Sequence, residues 1–269
     1  MFWFLLAAFG IISGVTTVLF GFGGGFVAVP LLFALTTLSY PPGSLIGQSA
    51  MHIAVATSTA AMMFGAGLAT FKRHREGKLQ WGIIRPLLIP VAIGAIAGAL
   101  LAVAVSGAWI QWVFVAYLGI TVLDNVLRPG FMHKSTGHFR PMSPRANIVI
   151  GLGIGLIAAF LGVGGSVLSV PVMRRRGASM AQASALANPV SLPMAVAGSL
   201  VYVVLAWQGK SLGSGFVGYI NLPALSLLIA GSWCGIRLAA PLLHKIPDVV
   251  YARMYILLLV LMFFVMLAP

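Results

Sequence analysis

The sequence predicts an all-α integral membrane protein of two inverted-topology repeats, each a glycine-rich broken-helix hairpin followed by three transmembrane helices. Three observations support this fold class. Apolar stretches long enough to cross a hydrocarbon core of about 30 Å recur along the chain. A glycine-rich segment occurs twice in register. The basic residues cluster in short segments between the apolar stretches, which sets the topology.

The composition is typical of a membrane protein. Hydrophobic residues make up 60% of the chain and charged residues 7%, with a mean hydropathy of +1.06, whereas about a quarter of a soluble domain is charged. The net charge of +13 lies in short loops, so we expect contact with an anionic lipid surface and no nucleic-acid binding. The apolar N-terminus lacks the basic start of a cleavable signal peptide. The single Cys234 excludes an intrachain disulfide.

The two halves carry matching motifs. Residues 19–32 align with 160–173 at a constant offset of 141, which pairs Gly21, Gly23, Gly24 and Pro30 with Gly162, Gly164, Gly165 and Pro171. A second match, at an offset of 137, pairs Gly94 and Gly98 with Gly231 and Gly235. Small residues four apart favour close helix packing. A looser match begins at Gln48 and Gln182.

Helices are predicted in both halves of the chain, separated by a polar, proline-containing seam. Their expected ranges are 3–20, 25–38, 45–71, 82–105, 109–127, 147–161, 166–174, 178–206, 217–241 and 249–268. We therefore divide the chain into a first transmembrane repeat (1–127), a cytoplasmic linker (128–146) and a second, inverted transmembrane repeat (147–269).

Charge fixes the orientation. Segment 147–173 leaves the basic linker and returns to Arg174–Arg176, so its roughly 27 apolar residues fit a hairpin of two shortened helices better than two full spans. A similar hairpin at 3–38 enters from outside. Each half then makes three crossings, which inverts one half relative to the other and leaves both termini outside. On this topology 15 of the 16 basic residues lie inside, and Lys210 lies outside.

The glycine-rich breaks are the predicted binding site. A helix N-terminus offers free N–H groups and a positive dipole end to an anion, and glycine leaves the backbone accessible. We expect two such termini to meet near the bilayer midplane, where discontinuous helices form transport sites. The alternative, that these glycines only permit close packing, stays open. The candidate residues are Gly21, Gly23, Gly24, Gly25, Gly162, Gly164, Gly165 and Ser166.

Neutral polar side chains on the helix after each hairpin would complete an anion site. They are His52, Thr57, Ser58, Thr59, Ser184, Asn188, Ser191 and Tyr202. Among them we select His52, Thr57, Ser58 and Asn188. Asn188 precedes a helix-breaking proline, and His52 is expected well inside a span. For His52 a structural hydrogen bond is an equal alternative, and intramembrane Ser and Thr often bond to their own backbone.

The acidic residues are few and peripheral. They are Glu76, Asp124 and Asp248, so a proton or sodium relay through a buried carboxylate is not expected. The sequence contains no cluster typical of a hydrolase or a metal site. We therefore expect no enzymatic activity, no catalytic residue, no cofactor and no bound metal.

These features together resemble the TauE/SafE family of sulfite and organosulfur-anion exporters. The resemblance rests on the paired glycine motifs at 21–30 and 162–171, Ala-Thr-Ser at 56–58, the basic loop 72–78 before Trp81, and the Gly-x-x-x-Gly helices. It implies a bacterial or archaeal inner-membrane protein that moves sulfite, sulfoacetate and related anions outward. Two departures are Asn188-Pro189, where Thr-Ser is usual, and Ser166 in place of a third glycine.

The resulting hypothesis is a secondary transporter that exports small sulfur-containing anions, such as sulfite, sulfoacetate or related organosulfonates, by alternating access. Its expected partners are the anionic substrate and the lipid bilayer, and a homo-oligomer stays open. Arg174–Arg176 could gather anions at the inner mouth, although topology alone explains them. Two alternatives remain: a passive anion or solute channel, and a membrane enzyme or assembly factor that uses the central cavity.

Overall fold

The computed structural model describes residues 2–77, 79–127, 142–207, 212–239, 241 and 246–267. Eleven α-helices and one short β-hairpin occur in these residues. The helices are α1 (Phe2–Phe20), α2 (Gly25–Ser39), α3 (Leu45–Gln48), α4 (Ala50–Arg75), α5 (Trp81–Ala104), α6 (Gly107–Leu127), α7 (Pro144–Leu161), α8 (Ser166–Arg175), α9 (Met180–Trp207), α10 (Leu222–Ala239) and α11 (Asp248–Leu267). The strands β1 (Phe216–Val217) and β2 (Ile220–Asn221) pair antiparallel.

Seven of the described helices are long and apolar enough to cross a membrane: α4, α5, α6, α7, α9, α10 and α11. The predicted all-α membrane protein is therefore confirmed. Residues 128–141 of the predicted cytoplasmic linker and Lys210, which is predicted to lie outside, fall outside the described residues.

Two predicted helices are wrong in part. The expected helix 45–71 is two helices, because Ser44 caps the short α3 through a 3.0 Å bond from the Gly47 N–H and the chain bends at Ser49 before α4 begins. The expected helix 217–241 begins only at Leu222. Before it, the β-hairpin turns at Gly218, whose φ is +62°.

The second hairpin is less symmetric than predicted. Helix α7 starts at Pro144, with Ser143 as its N-cap, and contains 18 residues, which corresponds to about 27 Å at 1.5 Å per residue. It is therefore not a shortened helix. Helix α8 has 10 residues, or about 15 Å, which is half of a crossing. A serine cap followed by proline at the first helical position explains the earlier start.

Helices α4 and α9 occupy the centre of the molecule. The buried share of their most apolar 18-residue stretch is 78% and 50%, against 33–39% for the other spans. Helix α5 packs along α7, α10 packs along α1, and α11 packs against α6. The pairing therefore joins helices from opposite halves of the chain.

Glycines permit the two closest helix pairs. A β-carbon on Gly98 would collide with the Leu156 carbonyl of α7, and one on Gly235 would collide with the Ile11 carbonyl of α1. Backbones at this separation leave no room for a side chain. The prediction that these Gly-x-x-x-Gly segments serve helix packing agrees with these contacts.

Candidate functional site

The first glycine-rich segment forms a tight turn between α1 and α2. Gly21, Gly23 and Gly24 have φ angles of +76°, +63° and +93°, a region that residues with a side chain rarely adopt. In the second turn, between α7 and α8, Gly162 takes φ +68° and ends α7. The backbone conformation therefore favours glycine at three positions of the first turn and at Gly162 in the second.

The two turns contact each other. A β-carbon on Gly164 would collide with the Phe22 carbonyl, and one on Gly25 would lie 2.7 Å from the Gly162 carbonyl oxygen. Every residue of 21–30 and of 161–167 is buried. The fold thus brings the eight candidate turn residues together in the interior, although they come from opposite halves of the sequence.

Both helices that leave the turns begin without a side-chain cap. Gly24 is the N-cap of α2 and Gly165 is the N-cap of α8, and neither position receives a capping side-chain bond. The first N–H groups of a helix have no intrahelical acceptor. Two uncapped N-termini in a buried region form an environment suited to an anion.

Polar groups of α1 and α9 hold the first turn. Ser13 Oγ donates to the Gly24 carbonyl at 2.6 Å, and Thr17 Oγ1 donates to the Ser13 carbonyl at 2.7 Å. Asn188 Nδ2 donates to the Thr17 carbonyl at 3.2 Å, which links α9 to the end of α1. A β-carbon on Gly21 would lie 2.7 Å from the Ser184 carbonyl oxygen. The first turn is therefore packed against α9.

The second turn is held by α4 and α9. Ser58 Oγ lies 3.1 Å from the Gly162 carbonyl oxygen and 3.0 Å from the Val55 carbonyl oxygen. Tyr202 donates its hydroxyl to the Ala159 carbonyl at 2.9 Å. These donors satisfy carbonyls that the end of α7 leaves without a helical partner. Of the predicted side chains, Ser58 and Asn188 therefore contact the hairpins.

Three buried polar atoms at the turns have no hydrogen-bond partner among the described residues. They are Ser166 Oγ, Ser169 Oγ and Asn188 Oδ1. Ser166 and Ser169 are three residues apart in the first turn of α8, so they share a helix face. The sequence interpretation missed Ser169, as well as Ser13 and Thr17. Hydroxyls spaced three or four residues apart beside a glycine break are the signal that could have found them.

Two other predicted side chains have different surroundings. Thr57 Oγ1 accepts from the Asn221 N–H at 3.0 Å, which ties α4 to β2. His52 Nε2 lies 3.1 Å and 3.0 Å from the carbonyls of Ala102 and Val105, at the end of α5. The expectation that His52 lies well inside a span is wrong, because α4 begins at Ala50. His52 stacks on the Tyr219 ring, with ring centres 5.2 Å apart.

Pro171, the proline of the second motif, leaves a carbonyl of α8 without its helical donor. Pro171 has no N–H to donate to the Val167 carbonyl four residues earlier. Tyr255 of α11 donates its hydroxyl to that carbonyl at 3.3 Å. The ring of Tyr255 also lies 5.2 Å from the ring of Phe22, centre to centre. Tyr255 therefore contacts both the first turn and α8.

The arginines that follow the second hairpin are ion-paired. Arg174 Nη1 lies 2.6 Å from Asp248 Oδ2, and Asp248 Oδ1 accepts from the Met180 N–H at 2.8 Å. Arg175 pairs with Asp124 at the end of α6. The expectation that this cluster gathers anions is wrong for these two arginines, because their charges are matched by carboxylates.

Metal coordination has no support from the side-chain arrangement. Within the described ranges, no three His, Cys, Asp or Glu side chains group closely enough to hold an ion. The chemistry available at the glycine turns is hydrogen bonding from backbone N–H groups, hydroxyls and one amide.

Comparison with known proteins agrees with the geometry. Residues 6–266 match the family described as "Sulfite exporter TauE/SafE". A "Probable membrane transporter protein" of Haemophilus influenzae is 27% identical over 260 residues, with 92% of each chain covered. "Probable membrane transporter protein YunE" of Bacillus subtilis is 25% identical, with 90% of this chain and 88% of that protein covered.

An archaeal relative extends the comparison. It is a "Probable membrane transporter protein" of Methanocaldococcus jannaschii, 24% identical over 233 residues, with 84% of this chain and 80% of that protein covered. The family match spans both glycine turns, all seven candidate spans and the short helix α8 between them. The chain therefore belongs to the TauE/SafE sulfite exporter family and is a multi-pass membrane transporter.

Proposed function

We propose that the chain is a secondary transporter that exports small sulfur-containing oxyanions, such as sulfite, sulfoacetate or related organosulfonates, by alternating access. The observation that carries this proposal is the meeting of two uncapped helix N-termini, those of α2 and α8, in the buried centre. The anion would bind the backbone N–H groups of the two glycine turns. Ser166, Ser169, Ser58 and Asn188 would add neutral donors.

The neutral character of this site suits a carrier. A small oxyanion held by dipoles and hydroxyls keeps most of its hydrogen bonds without a fixed positive charge that would slow release. Thr57 and His52 do not contact the turns, since they bond to Asn221 and to the end of α5. They would line the approach to the site along α4. The family description supports sulfite as the first substrate to test.

We further propose that the halves 1–127 and 147–269 are inverted repeats, joined by a cytoplasmic linker, with both termini outside the inner membrane. The exchange of contacts between halves supports this arrangement. Gly21 packs on Ser184 of α9, and Gly162 packs on Val55 of α4. In the same way α1 lies along α10, and α7 lies along α5. Rocking one half against the other would then open each side in turn.

Burial of both turns favours a carrier over a passive channel. Residues 21–30 and 161–167 are all buried, so the proposed site is closed to solvent in this conformation. A channel would need a continuous open path, whereas a carrier passes through an enclosed state.

The deciding experiment is counterflow in proteoliposomes. Radiolabelled sulfite uptake is measured with sulfite, sulfoacetate, taurine, sulfate or chloride preloaded inside. We expect saturable uptake that sulfite or sulfoacetate inside accelerates. Uptake that neither saturates nor responds to internal anions would favour the channel, and the absence of flux in folded protein would contradict transport.

Variants connect the flux to the turns. Gly24→Leu and Gly165→Leu should abolish exchange. Gly24 has φ +93° and a β-carbon there would lie 2.9 Å from Ser13 Oγ, whereas one on Gly165 would lie 3.0 Å from the Ile154 side chain, so either side chain would displace its turn. Gly153→Ala is the control, since a β-carbon there meets nothing within 4 Å. Each variant is first checked for a monodisperse profile in detergent.

A further inference from the structure

Arg73 is the one described arginine that combines deep burial with an unpartnered guanidinium nitrogen and no carboxylate bound to it. It lies in the last turn of α4 with 8% of its surface exposed, and no acceptor among the described residues is within reach of its Nη2 atom. By contrast, Arg174 and Arg175 hold Asp248 and Asp124. A buried N–H of a charged group without a hydrogen-bond partner is less stable there than in water. An anion bound to Arg73 during transport would supply the missing acceptor.

The surroundings of Arg73 are polar and positive. Its titratable neighbours are the neutral Tyr251 hydroxyl of α11 and the exposed Glu76 at the end of its own helix. Lys72 and Arg75 lie on the same helical turn, so the local balance remains positive. The Tyr251 hydroxyl is itself buried, and its polar neighbours include Ser184 and Asp248 as well as Arg73. Asp248 is already bound to Arg174 and the Met180 N–H.

Tyr251 has neighbours at both Arg73 and the first glycine turn. The ring of Tyr251 lies 5.4 Å from the ring of Phe20, centre to centre, and Phe20 ends α1 just before Gly21. Ser184, another polar neighbour of Tyr251, packs on Gly21 through its backbone. Tyr251 therefore relates Arg73 to the residues that hold the first turn.

We propose that Arg73 and the Tyr251 hydroxyl form a second binding site, for a small free oxyanion, at the cytoplasmic approach to the glycine turns. This inference rests on the proposed transport function and assigns the first contact of an outgoing anion. Tyr251 neighbours residues of both sites, so a change in its position would open the way from Arg73 to Gly21. The enclosed Nη2 atom favours a small free anion over a phospholipid headgroup, which would have to enter between packed helices.

The first test is chemical modification of the full wild-type chain, which requires no variant to fold. Phenylglyoxal is applied in detergent with and without sulfoacetate, which does not react with the reagent, and the modification of each arginine is followed by peptide mass spectrometry. We expect sulfoacetate to slow modification of Arg73 at least fivefold and to leave Arg75 and Arg85, both exposed, unchanged. Equal slowing of all three, or no modification of Arg73 without sulfoacetate, would overturn the site.

A lipid arm separates the two sources of an anionic group. Mixed micelles of detergent and phosphatidylglycerol replace sulfoacetate in the same measurement. Protection of Arg73 by the lipid but not by sulfoacetate would contradict a site for a free anion. Protection of Arg73 by sulfoacetate alone is the expected result.

The second test is sulfite exchange with substrate supplied on the cytoplasmic side. Arg73→Gln should raise KM at least tenfold with little change in kcat, Arg73→Lys should recover part of the loss, and Arg75→Gln should match wild type. An unchanged KM in folded Arg73→Gln would overturn the inference while exchange itself stands. Absent exchange in the wild type would instead contradict the proposed function, and protection of Arg73 is still measured separately.

Discussion

Single hydrogen bonds connect the central helices α4 and α9 to the second hairpin. Tyr202 of α9 donates to the Ala159 carbonyl near the end of α7, and Ser58 of α4 donates to the Gly162 carbonyl in the turn. Such carbonyls have no helical partner, and no water is available to them in hydrocarbon. Their side-chain donors therefore determine how firmly the turn is held.

Tyr202→Phe should lower the free energy of unfolding by about 1 kcal/mol, because the buried Ala159 carbonyl loses its donor while the ring still fills its space. Thermal unfolding of the detergent-solubilised protein measures the change. Tyr40→Phe is the control, since Tyr40 is exposed at the end of α2. Equal melting temperatures for Tyr202→Phe and wild type would contradict the assignment.

Ser58→Ala should reduce sulfite exchange about five- to tenfold, because a bond worth about 1 kcal/mol no longer positions the second turn. Thr59→Val is a matched control on the next residue. Thr59 Oγ1 bonds only to the Val55 carbonyl of its own helix, at 2.7 Å, so its loss should leave exchange within twofold of wild type. Equal effects of both substitutions would indicate a general disturbance of α4.

At the scale of helices, backbone contact between α5 and α7 sets the geometry. Gly155→Ala should destabilise the protein by about 1–3 kcal/mol, since its β-carbon would collide with the Val91 carbonyl. Gly153→Ala, two residues earlier on the same helix, meets nothing within 4 Å and should be neutral or slightly stabilising. The melting temperatures of both variants in detergent test this difference. Tolerance of Gly155→Ala would mean that α5 and α7 are farther apart.

The short length of α8 places its two ends in different environments. The 10 residues of α8 reach about half of a crossing. Its N-terminus is buried beside the first turn, whereas its last two arginines pair with Asp248 and Asp124. The helix therefore links the proposed anion site to the ion-paired ends of α6 and α11.

At the scale of the whole molecule, inverted repeats make a prediction about sidedness. Gln48 and Gln182 begin the looser match between the halves, and both are exposed. Single cysteines at these positions, in a Cys234→Ser background, should react with an impermeant thiol reagent from opposite sides of intact cells, Gln48→Cys from outside and Gln182→Cys only after lysis. Labelling of both from the same side would indicate parallel repeats.

The sequence could predict the elements that depend on local chemistry. Glycine allows the positive φ angles that the turns need at Gly21, Gly24 and Gly162, and the helix bounds beside them lie close to the predicted ones. The sequence-based prediction failed where a helix cap decided the boundary. Ser44 and Ser143 start helices that hydropathy alone does not delimit, because a single side-chain bond at a helix end carries no periodic signal.

By itself the sequence determined that the chain spans a membrane several times, that its helices break at two related glycine segments, and which family it belongs to. Only the tertiary structure decided that these turns touch, that Ser58 and Asn188 reach them while His52 contacts α5, and that Arg174 and Arg175 are neutralised. The physical reason is range. Hydropathy and glycine conformation act within a few residues, whereas these contacts join residues 50 to 171 positions apart, whose meeting depends on how all the helices pack.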